Sequence, residues 1–238
     1  MSKKYRTEKV EAQDLVTIQE TLSNLIIRHG ALEEAYQLIE QTIESNRYLS
    51  ENKHVIIIGE SGCGKSTLMD IYQADHCPVV EEFQLGSRAN IPAIFASVPS
   101  PVTPRSISVE LIKATGDETG LTQTAQRITE RLCLNIQASK TQVVFLDETQ
   151  HLLSLGSKSN KQTITTRLRE SLDWIKSLTN KTGATYVLLG MPELLDVISA
   201  DEQLARRFTN THYLAPFSPQ SDENDFIVKF ADELLLQT

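Results

Sequence analysis

With 238 residues, 40% of them hydrophobic, the chain can bury the core of one large α/β domain but is short for two full ones. A formal net charge of −8 argues against broad, charge-driven nucleic-acid binding by the chain as a whole, leaving a local basic patch or the summed patches of an oligomer. No stretch approaches the ~18 consecutive apolar residues of a membrane span, and the polar start Met1-Ser2-Lys3-Lys4 lacks a signal-peptide core, so a soluble cytoplasmic protein without a membrane partner is expected.

Residues 1–24 are polar with weak periodicity and are expected to form an extension to a core domain spanning 25–222. From Gly30, the spacing of Ala31, Leu32, Ala35, Leu38, Ile39 and Ile43 predicts a helix. A strand at 54–58 then runs into Gly59-Glu60-Ser61-Gly62-Cys63-Gly64-Lys65-Ser66, followed by Thr67 and a helix over about 64–74. This is a G-x-x-x-x-G-K-[ST] loop between strand and helix, a pattern that average residue usage matches by chance in about one such chain in a hundred. Its glycines permit a tight turn whose backbone N–H groups face phosphate oxygens, and the helix N-terminus adds to the field. Residues Gly59 to Thr67 are therefore expected to bind a nucleotide. Lys65 would reach the outer phosphates and Ser66 a magnesium position. Cys63, Cys77 and Cys133 include no C-x-x-C pair, which suggests neither a disulfide framework nor a zinc site.

Pro92 to Val98 reads as a buried strand, stopped by Pro99, Pro101 and Pro104 before a helix near Ser106. A helical pattern at 122–136 precedes Gln142-Val143-Val144-Phe145-Leu146, apolar enough for the middle of a parallel sheet. A helix over about 162–179 and a fourth strand at 184–189 follow. Strands alternating with helices predict a three-layer α/β/α core, with the ligand at the carboxyl ends of its parallel strands. Asp147 and Glu148 fall where the 142–146 strand reaches that edge. Asp147 would hold Mg2+ directly or through a water, and Glu148 would polarise the water that attacks the outer phosphate.

Asp147-Glu148-Thr149-Gln150-His151-Leu152-Leu153 resembles the second nucleotide motif of AAA+ ATPases, and three further segments narrow the likeness. Ser97 to Arg105 resembles the proline-rich turn of the TniB/TnsC-like ATPases that regulate DNA transposition. Tyr186 to Leu194 is similar to their sensor strand, and Gln203-Leu204-Ala205-Arg206-Arg207-Phe208 to their arginine-finger segment. The resemblance covers about residues 25–230 and implies an ATP- and Mg2+-dependent factor that forms rings or filaments on double-stranded DNA. Such a factor links a target-selection protein or CRISPR effector to a transposase. Arg206 or Arg207 of a neighbouring subunit would complete each ATP site. A solvated helix end, or a local ion pair with Asp201 or Glu202, fits this pair as well.

The resemblance further implies base contacts by Ile26 and Ile27, for which plain core packing fits equally. It implies DNA phosphate contacts from the helix and loop carrying Lys113, Thr119, Thr122 and Arg127. Lys158 and Lys161, in the loop from Gly156 to Lys161, are further candidates, and each of the six also fits an ordinary solvated surface. Two features depart from the family pattern. Met191 stands where a small polar sensor residue is usual, implying slow hydrolysis. The helical pattern from Asp225 reaches the last residue Thr238, so residues 223–238 are expected to hold only the start of a helical lid that is short or mostly missing. A helicase-loader or initiator-type AAA+ ATPase and a nucleotide-locked scaffold with negligible turnover remain as alternatives.

Overall fold

The computed structural model describes residues 28–83, 86–119, 121–154 and 161–216. Gly30–Phe217 form one compact unit. The expectations for residues 1–24 and 223–238, and for Ile26, Ile27 and Lys158, lie outside the described residues.

The elements run α1 (Gly30–Asn46), β1 (Val55–Ile58), α2 (Lys65–Asp75), β2 (Val79–Phe83), β3 (Gly86–Asn90), β4 (Ala93–Ser97), α3 (Pro104–Ala114) and α4 (Ala125–Ala138). They continue with β5 (Val143–Asp147), α5 (His151–Ser154), α6 (Lys161–Thr182), β6 (Thr185–Gly190), α7 (Leu194–Ser199), α8 (Glu202–Arg207) and β7 (Asn210–Tyr213). Five strands form one parallel sheet in the order β4-β5-β6-β1-β7, while β2 and β3 pair as a separate antiparallel hairpin.

The apolar runs of β1, β5 and β6 follow from burial on both faces. Ile56, Ile58, Val144, Leu146, Tyr186 and Leu188 point into one core, shared with Ile107, Leu111, Leu132 and Ile175 of α3, α4 and α6. Their alternates Val55, Ile57, Val143, Phe145, Val187 and Leu189 point into a second core beneath α1 and α2. At roughly 1.5–3 kcal/mol for each fully buried aliphatic side chain, these two faces dominate the stability.

Three sequence expectations are corrected. The helix placed near Ser106 begins at Pro104, because Thr103 is its N-cap: the Ser106 N–H donates to Thr103 Oγ1 (3.0 Å) and the Thr103 N–H to Ser106 Oγ (2.9 Å). The strand at 184–189 is the sixth rather than the fourth, because the hairpin β2–β3 precedes β4, and the sheet gains the edge strand β7. Lys161 opens α6 instead of closing a loop.

His54, just before β1, is a buried polar residue that ties the sheet to its last helix. Its Nδ1 accepts from the Tyr186 N–H (3.2 Å), and its backbone N–H donates to the Arg207 carbonyl (2.8 Å). Burial, then the positive charges of Arg207 and Lys53, push its pKa from 6.5 down to about 3. The unfolded chain therefore takes up this proton near pH 6.5 and the native chain only near pH 3, so the stability His54 contributes is complete above 6.5 and is lost as pH falls. Urea unfolding at pH 7 and pH 5 should show the wild type losing about 2 kcal/mol more than His54→Gln over that interval.

Candidate nucleotide site

The first strand in sequence, β1, lies between β6 and β7, so the strand order reverses there and a crevice opens at the carboxyl ends. The phosphate loop leaves β1 into this crevice. Gly64 caps α2 with φ 98°, a left-handed conformation that a side chain would strain. The following residues Lys65, Ser66 and Thr67 form the first turn of α2, whose backbone N–H groups have no helical acceptor of their own.

A cavity of about 300 Å3 collects the site. Ser61, Gly62, Gly64, Lys65, Ser66 and Thr67 of the loop and α2 line it together with Asp147, Glu148, Gln150 and Met191. This volume is at the small end for ligand pockets and suits a phosphate chain rather than a whole nucleotide. Gly59, Glu60 and Cys63 are not part of the lining. Gly59 and Glu60 serve through their carbonyls, which accept from the Lys65 ammonium at 2.7 and 2.8 Å, and Cys63 Sγ lies 3.7 Å from the same nitrogen. Lys65 is thus held over the loop by neutral acceptors, which a phosphate anion would outcompete.

The carboxylates come from the end of β5. Register pairs Ser97 with Asp147 and Leu146 with Leu188, so β6 separates the carboxylate strand from β1. Asp147 accepts the Glu148 N–H at 2.8 Å. Burial pushes the Asp147 carboxyl above the usual carboxylate range, outweighing that hydrogen bond. Among the described residues no cluster of three or more His, Cys, Asp or Glu could hold a metal by itself. Ser66 and Asp147, which line one cavity, nevertheless fit a Mg2+ ion, which takes few protein ligands and completes its shell with phosphate oxygens and water.

Glu148 has φ 55°, unusual for a residue with a side chain, and such strain costs on the order of 1 kcal/mol. It turns the chain so that Gln150 follows into the cavity. Gln150 Nε2 donates to Glu148 Oε2 (2.5 Å), and Gln150 Oε1 accepts the Met191 N–H (3.3 Å). Sequence reasoning missed Gln150; its one signal was a long polar side chain two residues after the carboxylates. His151 Nδ1 lies 2.7 Å from the Val98 carbonyl, so that nitrogen donates, while Nε2 is 3.8 Å from Glu148 Oε2.

The two arginines differ sharply. Arg207 is largely buried, 2.9 Å from Glu51, with Asn180 as a second partner. Arg206 is 73% exposed and pairs with Glu202 one turn back. Asp201 serves neither; it caps α8 through the Gln203 and Leu204 N–H groups and pairs with Lys176 at 2.8 Å. Both arginines precede β7, whose first residue Asn210 is level with Val55 at the amino end of β1. Lys53 Nζ fixes the Arg206 carbonyl there at 2.8 Å. The phosphate loop begins at Gly59, four residues beyond Val55 along β1, roughly 13 Å away at about 3.3 Å per residue. An arginine side chain does not span that distance.

Among the DNA candidates, Thr122 and Arg127 are exposed, and Lys113 makes an ion pair with Glu110 (3.1 Å). Thr119 is exposed as well, and its hydroxyl donates to Asp117 (2.8 Å), which Arg131 (2.5 Å) and Asn135 (3.0 Å) also hold. Partial burial alone would raise the Asp117 carboxyl, but hydrogen bonds from Asn135, Thr119 and Arg131 hold it well below the usual range.

A parallel sheet with its strand order reversing at β1, a phosphate loop at that point and an acidic pair one strand removed define a P-loop domain of the AAA+ type. A sequence-family model described as "Bacterial TniB protein" matches residues 17–217, and the chain belongs to that family. Solved structures share the fold at low identity. The ORC2 protein of Aeropyrum pernix, described as ADPNP–ADP complexes, is 16% identical with a TM-score of 0.57 over 88% of this chain and 54% of its own. The ORC1 protein of the same organism, in complex with DNA, is 12% identical with a TM-score of 0.54 over 89% and 52%. Cdc6p from Pyrobaculum aerophilum is 12% identical with a TM-score of 0.52, again over 89% and 52%. The chain thus spans about half the length of these structures. No match is found among curated proteins. Among the described residues no helix is long and apolar enough to cross a membrane.

Proposed function

We propose that this chain is an ATP-dependent regulator of DNA transposition that assembles on double-stranded DNA and links a target-selection protein or CRISPR effector to a transposase. The observation that carries the reading is the convergence of Lys65, Ser66, Asp147 and Glu148 on one cavity, in a chain of the TniB family. Lys65 and the loop N–H groups bind the β- and γ-phosphates of ATP. Ser66 and Asp147 would hold Mg2+, which would neutralise charge on the phosphate oxygens. Glu148 takes a proton from water as the water oxygen bonds to the γ-phosphorus and the bond from that phosphorus to the bridging oxygen breaks, releasing ADP.

The position of Arg206 supports a shared site. Exposed, with its backbone held at the amino end of β1, it would serve the ATP of a neighbouring subunit. Hydrolysis then limits the life of the assembly. Lys113, Thr119, Thr122 and Arg127, all exposed, are the DNA-facing candidates among the described residues; they would contact phosphates and read no bases. Met191 favours a second reading, a scaffold that binds ATP with negligible turnover, because its side chain offers the cavity no polar group.

Electron microscopy with duplex DNA and no nucleotide, ADP, ATP or a slowly hydrolysed ATP analogue tests the first reading. Ordered rings or filaments are expected with the ATP-like states alone. A monomer in every state would refute assembly as the basis of function.

A further inference from the structure

The apolar Met191 leaves the end of β6 without a side chain that could steer the attacking water, yet the place is not unprovided for. Gln150 stands between Glu148 and the Met191 backbone and lines the same cavity. Its orientation follows from its partners. A backbone N–H only donates, so the Gln150 atom facing Met191 is the carbonyl oxygen. A carboxylate only accepts, so the atom facing Glu148 is the amide nitrogen. The two contacts agree on one rotamer and fix the amide at both ends. Packing adds a third restraint. A Cβ at Gly190 would lie 3.0 Å from Gln150 Oε1 and 2.7 Å from Thr149 Oγ1, so the end of β6 approaches this turn as closely as only glycine permits. Thr149, fully buried, closes the other side by donating to the Leu189 carbonyl at 2.6 Å.

We propose that Gln150 is the positioning residue for hydrolysis in this site, holding the Glu148 carboxylate toward the attacking water in place of the polar sensor side chain that Met191 does not supply. The inference rests on the hydrolytic reading above. One amide hydrogen of Gln150 holds Glu148, which is already committed to an uncommon backbone conformation, and fixes which carboxylate oxygen remains for the water proton. The other amide hydrogen is left for an oxygen of the water or of the γ-phosphate. Through the Met191 N–H the clamp also registers the position of β6, which lies between β1 and β5. A shift of β6 would therefore alter the aim of Glu148 without moving any group that holds the nucleotide.

The test compares wild type, Gln150→Ala, Gln150→Glu and Glu148→Gln on duplex DNA. It measures kcat and KM for ATP, dissociation constants for fluorescent ATP and ADP analogues, and the thermal midpoint. Gln150→Ala removes both contacts, while Gln150→Glu keeps the acceptor for Met191 but replaces the donor with a second carboxylate. Both should lower kcat roughly tenfold to a hundredfold, with KM and ADP affinity within about threefold of wild type. A decline in kcat under about fivefold, or a rise, overturns the proposal. So does a decline matched by equal loss of ADP affinity and of thermal midpoint, which would mark Gln150 as structural only, and so does wild-type turnover by Gln150→Glu. If wild type itself hydrolyses no faster than Glu148→Gln, the hydrolytic reading fails and takes this one with it; normal wild-type turnover with unaffected Gln150 variants sinks this one alone.

Discussion

Glu148→Gln should bind ATP as wild type does, hydrolyse it about a hundredfold or more slowly, and hold its assembly on DNA correspondingly longer. The substitution keeps the size of the side chain and removes only the capacity to accept a proton, the part of general-base catalysis typically worth about 10²–10⁴ in rate. The fold should not notice. Glu148 makes no core contact, and the new amide can turn its oxygen toward Gln150 Nε2 and so preserve that hydrogen bond. The proposed binding groups are elsewhere: Lys65 opens α2 after the loop, and Ser66 and Asp147 are the residues that would hold the metal. The measurement is single-turnover hydrolysis beside the dissociation rate of the nucleotide-held assembly. Slow hydrolysis with unchanged assembly lifetime would separate the two and remove hydrolysis as the release step. Turnover near the wild-type rate would show that Glu148 is not the base.

The parts of this site that the sequence discloses are those whose chemistry is local. A phosphate loop needs glycines, a lysine and a hydroxyl at fixed spacing, and the flanking strand and helix follow from Val55 to Ile58 and Leu68 to Tyr72. Asp147 and Glu148 stand out because they end an apolar run. What stays hidden is created by tertiary contact. β7 reads Asn-Thr-His-Tyr, with no apolar alternation, and is a strand because Ile56 and Ile57 offer it a partner edge. Gln150 carries no motif, and its place depends on a backbone N–H forty-one residues away. Asp117 is equally unmarked in sequence, yet Thr119, Arg131 and Asn135 draw it into a clasp. Arg206 and Arg207 are indistinguishable as letters, and only the partners Glu51 and Asn180 decide which one is buried.

That difference sets the second large effect. Arg206→Ala should leave monomer stability almost unchanged, since an exposed pair one turn apart contributes only about 0.3–0.5 kcal/mol. It should nevertheless lower ATP turnover in the assembly about a hundredfold or more, because a guanidinium that neutralises charge on the transferring phosphoryl group is worth roughly 10³–10⁵ in related chemistry. Arg207→Ala should do the reverse. It removes a largely buried ion pair with Glu51 and a hydrogen bond to Asn180, lowering stability by about 1–3 kcal/mol, and it takes away a positive charge that holds His54 neutral. Its turnover should decline only as far as folding does. Mixing subunits decides whether Arg206 acts across a boundary. A Glu148→Gln subunit keeps its Arg206 but lacks the base; an Arg206→Ala subunit keeps the base but lacks the arginine. Each alone should be inactive, while a mixture should regain activity wherever an intact Glu148 faces an intact Arg206 of its neighbour. An inactive mixture that still co-assembles would place both groups in the service of one chain, against the roughly 13 Å that β1 puts between its amino end, where Arg206 lies, and the phosphate loop.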